Sequence, residues 1–267
     1  MCFAGARPRC VRSPPAMAEV SLCIPVFNSA AYLDELFTCL RALSPQPDEI
    51  ILLDDASTDD SLVRLREFAA GVVQGLQVHV LANARNAGIA AAYNRLAHEA
   101  RGEWVQILDA DDLPVDVDFY ARIRDALTPG IDTVVVALDS NARLLRWGSR
   151  LLGSLVPRRP PLWCPLLGSF ATRAGVLYRR RRLLDVPFPD PSYPGSDVVH
   201  LLELRREGGC IFLRRPRVFY RVHGAAQSSR HRDYTVYRHH LRDFGMVVRL
   251  VYGVDLCLRQ LVQMWER

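Results

Sequence analysis

Acidic and amide residues in the first half of this 267-residue chain are the ones best placed to do chemistry. They are Asn28, the pair Asp54-Asp55, the amides Asn83 and Asn86, and the run Asp109-Ala-Asp111-Asp112. Carboxylates cannot neutralise an anion directly, but they can hold a divalent cation that does. A D-x-D-D run supplies hard oxygen ligands suited to Mg²⁺ or Mn²⁺ and leaves coordination positions open for diphosphate oxygens. Alone the run is unspecific, because short acidic clusters also cap helices and decorate loops. What surrounds it narrows the chemistry. All 34 of the basic Lys+Arg residues are arginine. Without a lysine, a P-loop, a protein kinase and Schiff-base or pyridoxal chemistry are excluded. The 7 cysteines form no C-x-x-C pair, which argues against a zinc knuckle or a thioredoxin-like motif. Cys23 and Cys39 read as small core residues, and a reducing compartment fits them. The turn Pro25-Val-Phe-Asn-Ser-Ala-Ala contains no glycine. The G-x-G-x-x-G pyrophosphate cradle of a dinucleotide enzyme is therefore missing.

These residues need elements to position them. Residues 20–27 (VSLCIPVF) read as a buried strand. Tyr32, Leu33, Leu36, Phe37 and Leu40 then recur at helical spacing, with Asn28 and Ser29 as candidate caps. Residues 49–53 form a second strand, and Ser57 or Thr58 would cap a helix holding Leu62, Leu65 and Phe68. A third strand at 78–81 leads through 83–88 into an alanine-rich helix at 89–100. A fourth strand at 104–108, a helix at 119–127 and a strand at 133–138 complete the half. Strands alternating with helices predict an α/β fold with a mostly parallel mixed sheet flanked by helices. In such sheets ligands sit beyond the carboxyl ends of the strands, and the polar groups fall at those ends. Solubility alone would scatter acids over helix faces. The rim is a site.

Beyond residue 139 the pattern loosens. Residues 158–167 (RRPPLWCPLL) are proline-rich and irregular. A strand is expected at 172–178, then a turn or short helix at 179–184 whose arginines form a solvated turn or an acceptor-facing patch. A helix is expected at 197–207, two separate strands at 210–213 and 217–222, and a helical tail from Tyr234.

The series Ile24-Pro-Val-Phe-Asn28, Asp54-Asp55-Ala-Ser57-Thr-Asp59, Asn86-Ala-Gly88 with Ala92 and Asn94, Gly102-Glu-Trp, and Asp109-Ala-Asp111-Asp112 resembles the nucleotide-binding half of family 2 glycosyltransferases of the GT-A fold. The likeness covers residues 20–125 and continues more thinly through 176–182 and Ser196-Asp197 to Tyr220-Arg-Val-His223. It implies a nucleotide-sugar donor (a UDP-sugar above all), a bridging Mn²⁺ or Mg²⁺, and hexosyl or N-acetylhexosaminyl transfer to a hydroxyl acceptor with inversion. It also implies roles. Pro25, Phe27 and Asn28 would line the donor's base pocket, with Phe27 either stacking on uracil or serving as a core aromatic. Asp55 would accept from the base N3–H. Asn86 and Gly88 would wall the ribose or simply make a turn with a positive-φ glycine. Asp109 would reach the ribose and Asp111 the metal, while Asp112 would be a secondary ligand or a loop anchor. His223 would touch metal or diphosphate, and Arg221 the phosphates. The family's second-half acidic pair reads Ser196-Asp197 here. Asp197 is therefore the candidate catalytic base, or else an N-cap, and the first carboxylate of the pair is replaced by serine.

Charge divides the chain as well. Residues 1–140 hold 11 arginines against 20 acids, and residues 141–267 hold 23 against 9. That suits a metal site in one half and an anion- or membrane-facing surface in the other. The expected organisation is a leader or mis-assigned start at 1–17, a nucleotide-sugar-binding half at 18–140, an acceptor-binding half of the same domain at 141–230, and a tail at 231–267. No stretch reaches the roughly 18 apolar residues of a membrane span. A cytoplasmic location follows as the expectation. The basic tail with Trp265 would dock at the inner face of a membrane or on a partner, or pack back on its own domain. The acceptor would be a glycan, a lipid-linked group or another hydroxyl compound, and no nucleic acid partner is expected. A sugar-1-phosphate nucleotidyltransferase would need a glycine-rich loop and a lysine. A non-catalytic nucleotide-sugar-binding module of a polysaccharide assembly system would hold a donor without turning it over.

Overall fold

A computed structural model describes residues 19–72, 76–142, 146–147, 151, 154–161, 164, 173–189 and 196–223; the leader and the tail lie outside the described residues. In chain order the elements are β1 (Val20–Val26), α1 (Ala30–Ala42), β2 (Glu49–Asp54), α2 (Ser61–Ala70), β3 (Gln77–Ala82), α3 (Ile89–Glu99), β4 (Trp104–Ile107), β5 (Leu113–Pro114), α4 (Phe119–Arg124), β6 (Ile131–Ser140), β7 (Val176–Arg179), α5 (Arg180–Asp185), α6 (Ser196–Arg205) and β8 (Gly209–Tyr220). The strands make one eight-stranded sheet in the order β3-β2-β1-β4-β7-β6-β8-β5. Neighbours among β3, β2, β1 and β4 are parallel, as are β6 and β8. β7 runs against both β4 and β6, and β5 against β8. The sheet is mixed, as the alternating pattern predicts.

Both faces are covered, which is why β1 and β2 read as continuous apolar runs. Alternate side chains of β1 enter different cores. Leu22 and Ile24 pack with Leu33, Leu36 and Leu40 of α1, Phe68 of α2, and Phe119 and Ile123 of α4. Cys23 packs on the other face with Tyr93 and Leu96 of α3, Leu183 of α5, and Leu201 and Leu204 of α6. Phe37 and Phe68 stack at 4.2 Å between ring centroids, locking α1 to α2. Truncating a fully buried leucine such as Leu36 would cost about 2–5 kcal/mol.

At the end of the sheet away from the acidic run, buried Glu49 accepts from the Ser21 hydroxyl at 2.6 Å and from the backbone N–H of Arg101 at 2.6 Å. Gly102 closes over this knot, and a Cβ there would stand 2.6 Å from Ser21 Oγ. The glycine of the Gly102-Glu-Trp motif is thus required by close approach.

Several expectations change. The two strands foreseen after residue 209 are one strand, β8, whose register against β6 jumps from Val136–Leu213 to Ala137–Arg217. The residues between bulge out, and Pro216 sits where no ladder donor is needed. The short edge strand β5 was not foreseen, because two residues carry no readable period. Neither Ser57 nor Thr58 caps α2; its N-cap is Asp60, and Asp59 Oδ1 accepts from the Ser61 N–H at 3.0 Å. Ser29 is the N-cap of α1, but its hydroxyl donates back to Phe27 O instead of capping. Arg180 to Arg182 open the short helix α5; Arg181 stands in solvent, 72% exposed, as expected of a solvated turn, whereas Arg179, Arg180 and Arg182 are held by partners. Arg179 lies on β7 opposite Trp104, at the start of β4, paired with Glu103 and with Asp132 at 3.0 Å. Arg180 donates to the last-turn carbonyls of α3, and Arg182 pairs with Glu207 at 3.4 Å.

Candidate functional site

β1, β2, β3, β4, β6 and β8 all run one way, so their carboxyl ends share a rim. Asn28 leaves β1 in the left-handed region (φ 49), which asparagine tolerates. Its N–H donates to Ser57 Oγ at 3.0 Å, and its Oδ1 accepts from the Thr58 N–H at 2.8 Å. The turns after β1 and β2 are thereby stitched together. Pro25 stays buried within β1, opposite Leu53. Phe27 stands 48% exposed, so it is not a core aromatic.

Asp55 is buried and organises the next wall. It accepts from the Asn83 side-chain amide, from the Ala87 N–H at 2.9 Å and from the Gly88 N–H at 3.0 Å. Gly88, at φ +88, shares that N–H with Asn86 Oδ1 at 3.1 Å. A carboxylate has about four lone-pair sites, so Asp55 keeps acceptor capacity for a ligand.

The β4 exit meets the β8 exit. The Tyr93 hydroxyl of α3 donates to Asp109 Oδ1 at 2.6 Å. Asp111 Oδ2 lies 2.8 Å from His223 Nε2, and the Tyr32 hydroxyl lies 3.3 Å from His223 Nδ1. Arg221 ties these parts into one unit. Its backbone N–H donates to Asp112 Oδ1 at 2.9 Å, its Nε to the Asp111 carbonyl at 2.9 Å, and its Nη2 to Glu35 Oε2 at 2.6 Å. The guanidinium also packs 5.6 Å from the Tyr32 ring centroid and 5.4 Å from that of Phe219. Asn141, just past β6, exchanges two hydrogen bonds with Val222. Asp112 is buried, and burial with the charges of Asp109 and Asp111 pushes its carboxyl well above the ordinary range. Its geometry is that of a loop anchor beneath Arg221. Among the described residues no three His, Cys, Asp or Glu side chains close on one cation. Asp111 and His223 meet as a pair.

Asp197 lies half-buried in the first turn of α6, its Oδ1 accepting from the Val198 N–H at 2.9 Å. Three residues separate the end of α6 from the start of β8 beside Ile131, and the first turn of α6 lies about 15 Å along the helix from that end. No hydrogen bond or ion pair among the described residues joins Asp197 to the rim carboxylates. Tyr32, Glu35, Tyr93 and Asn141 were not foreseen. Tyr32 and Glu35, three apart on α1, face the same neighbour, a pairing the helical spacing permits but does not announce.

The model of the glycosyl transferase family 2 matches residues 21–183, more than half of the chain. The chain belongs to glycosyl transferase family 2. Dodecaprenyl-phosphate galacturonate synthase of Rhizobium johnstonii is 28% identical over 159 residues, 58% of this chain and 44% of that protein. Undecaprenyl-phosphate 4-deoxy-4-formamido-L-arabinose transferase of Pseudomonas fluorescens is 34% identical over 144 residues, 52% of this chain and 41% of that protein. The chain thus spans under half the length of these curated relatives. Among solved structures, S. aureus TarS in complex with UDP-GlcNAc matches with a TM-score of 0.70 at 18% identity, over 90% of this chain and 71% of that one. Mannosyltransferase PcManGT from Pyrobaculum calidifontis, in complex with GDP-Man and Mn²⁺, matches at 0.66 and 18% identity, over 94% and 72%. These likenesses show the GT-A fold. The family 2 match ends within α5. Asp111 lies inside it and His223 outside, although the two touch.

Proposed function

We propose that this family 2 protein transfers a glycosyl group from a nucleoside diphosphate sugar to an acceptor. The observation that carries the reading is the Asp111–His223 pair, 2.8 Å apart on the rim where four parallel strands end. A carboxylate oxygen beside an imidazole nitrogen is a donor set that fits Mn²⁺, with Mg²⁺ the more oxygen-demanding choice. Asp111 and His223 would hold the ion, which when bound would offset the charge of the diphosphate leaving group. The Tyr32 hydroxyl at Nδ1 fixes the ring orientation that this role needs. Asp112 anchors the loop from below. The Arg221 guanidinium is engaged with Glu35, so it serves the phosphates chiefly through the loop it holds.

Exposed Phe27 offers a stacking face for the base, with Pro25 and Asn28 fixing the turn that presents it. Asp55 has acceptor capacity for the base N3–H, which favours uridine. Asn86 and Gly88 shape the adjoining wall. Asp109, held through one oxygen by Tyr93, turns to the ribose with the other. For a hydroxyl acceptor, Asp197 takes the proton as the new bond forms. A hexosyl or N-acetylhexosaminyl donor is the class this reading expects.

A second reading of the acceptor has support of its own. Two relatives carry a polyprenyl phosphate in their names. A phosphate oxygen is already anionic at neutral pH and needs no base, which agrees with an Asp197 that accepts from the Val198 N–H of its own helix. Thermal stabilisation by a panel of nucleotide-sugars, each with and without Mn²⁺, tests donor binding. Donor turnover with hydroxyl and with polyprenyl phosphate acceptors then tests transfer. Binding of one donor with Mn²⁺ and release of its nucleotide is the expected result. No stabilisation by any donor would overturn the reading, and binding without turnover would make the protein a nucleotide-sugar-binding module.

A further inference from the structure

A second chemically uneven surface begins where the rim ends. Beyond Asn141, Arg146, Trp147, Leu151, Ser154 and Leu155 are helical. The Arg146 N–H donates to Ala142 O at 2.9 Å, and the Ser154 hydroxyl donates to Leu151 O at 2.6 Å. Trp147, Leu151 and Leu155 recur at a spacing of four, the spacing at which residues of an α-helix share a face. All three stand in solvent, at 65%, 48% and 65% exposure. Single exposed apolar residues need no explanation, but a continuous stripe of large ones does.

The segment that carries the stripe is basic. Residues 141–161 hold five arginines and no acid, and no acidic residue occurs between Asp139 and Asp185. Arg158 and Arg159 are exposed and pair with no carboxylate among the described residues. Exposed Arg214 of β8 donates to Ser154 O at 2.5 Å, which brings it to the end of the stripe. Arg158 and Arg214 also line a cavity of about 380 Å³ together with Arg122, Asp125, Val156, Phe212 and Leu213. Arg179 to Arg182 differ, being held by Glu103, Asp132, Asp185, Glu207 and helix carbonyls. Exposed tryptophan and leucine beside exposed arginines suit a boundary between acyl chains and anionic headgroups.

We infer that this face seats the protein on an anionic lipid bilayer. The position has a consequence for access. Asn141, at the root of the segment, exchanges hydrogen bonds of 2.9 and 2.8 Å with Val222, the neighbour of His223. A bilayer on the stripe therefore adjoins the rim, so an acceptor anchored in lipid reaches the site by lateral diffusion. The inference does not depend on the acceptor's identity.

The test is flotation of the full chain with vesicles of phosphatidylcholine alone or mixed with phosphatidylglycerol. The wild type should float with the mixed vesicles at low salt, and less as salt screens the arginines. Replacing Trp147, Leu151 and Leu155 together by serine should cut partitioning about tenfold or more, with melting temperature and nucleotide-sugar stabilisation kept. Trp147→Phe should lessen the fluorescence quenching caused by brominated acyl chains relative to the wild type; Trp104 is buried, and Trp163 and Trp265 are common to both proteins, so the difference reports Trp147. The inference falls if the wild type ignores anionic vesicles, or if the serine variant floats like the wild type. It also falls if that variant melts early or dissociates a dimer, because the stripe would then cover the chain's own tail or a second copy. Loss of floating with donor binding intact keeps this outcome distinct from the proposed activity.

Discussion

The two sides of the rim are built by different means. On the β1–β3 side the chain stitches itself: Asn28 to Ser57 and Thr58, and Asp55 to Asn83, Ala87 and Gly88. These bonds join turns about 30 residues apart, and several use backbone N–H groups. That side is shaped before any ligand arrives. Among the described residues the β8 side contributes Arg221 to His223, held by side chains from α1, the β4–β5 loop and the β6 exit. Those partners lie 81 to 191 residues away. A nucleotide can be met by the first side alone, whereas the Asp111–His223 pair exists only when both sides are assembled. Donor recognition and metal binding should therefore be separable by mutation.

The largest separation is expected from Asp111→Asn. It should abolish Mn²⁺-dependent donor binding, a loss of at least ~100-fold, because a neutral amide is a poor ligand for a hard cation. The melting temperature should stay near that of the wild type, since Asp111 is a rim residue rather than a core one. Isothermal titration with and without Mn²⁺ reads the effect. If donor binds as tightly and with the same metal dependence, the pair is not the metal centre and the contrast between the two sides disappears.

Asp197→Asn comes next, because it touches neither donor nor metal. With a hydroxyl acceptor, transfer should fall by roughly 10²–10⁴ while donor affinity stays nearly unchanged. Asparagine keeps the shape of the side chain and loses its basicity. Both quantities can be measured on one preparation. Transfer within a few-fold of wild type would remove the base and leave the phosphate acceptor as the reading that survives.

Tyr32→Phe should act more gently. The ring keeps its contact with Arg221, but His223 Nδ1 loses its hydroxyl partner. Such outer partners typically contribute ~10–100-fold in metal affinity. Mn²⁺ binding followed directly by electron paramagnetic resonance reports this without needing turnover. Unchanged affinity would mean that α1 does not help assemble the β8 side.

The same contrast explains what could be read from residues alone. β1 to β4 announce themselves by apolar runs ending in Asn28, Asp54, Asn83 and Asp109, so the α/β class and the rim follow from local pattern. Gly102 and Gly88 are legible too, since one answers a close approach and the other a positive φ. Tyr32 is different. Its spacing marks it as part of an apolar helix face, and only the folded chain brings its hydroxyl to His223, 191 residues on. Arg179 and Arg182 look solvated in sequence because their partners Glu103, Asp132 and Glu207 come from other elements. β8 looks like two strands because its bulge carries the charges and the proline that usually end one.

The smallest effect is expected from the thiols, and it asks how firmly the β8 side is closed. Cys210 lies on β8, and Cys39 sits on α1 against Pro114 of β5, the strand paired with β8, so the two thiols report the β8 strand and the helix that holds it. Burial, helped by the charge of Glu35, pushes the Cys39 thiol up to about 11, and its Sγ donates to Pro114 O at 3.0 Å. Burial also pushes Cys210 up to about 11, with Arg205 pulling partly the other way. Raised values favour the protonated thiol, so at pH 8 only about one molecule in a thousand carries the reactive thiolate at either site. Cys210 is buried in the core on one face of the sheet and Cys39 is half-buried between α1 and β5, so iodoacetamide labelling of both should be slow in the native protein and fast in urea. Peptide mass spectrometry resolves the two sites. If Cys210 labels more than about tenfold faster than Cys39, the β8 side opens locally below the global unfolding free energy. The contacts that bring His223 to Asp111 would then be made only part of the time, and donor-bound Mn²⁺ should slow the labelling of Cys210 but not of Cys39.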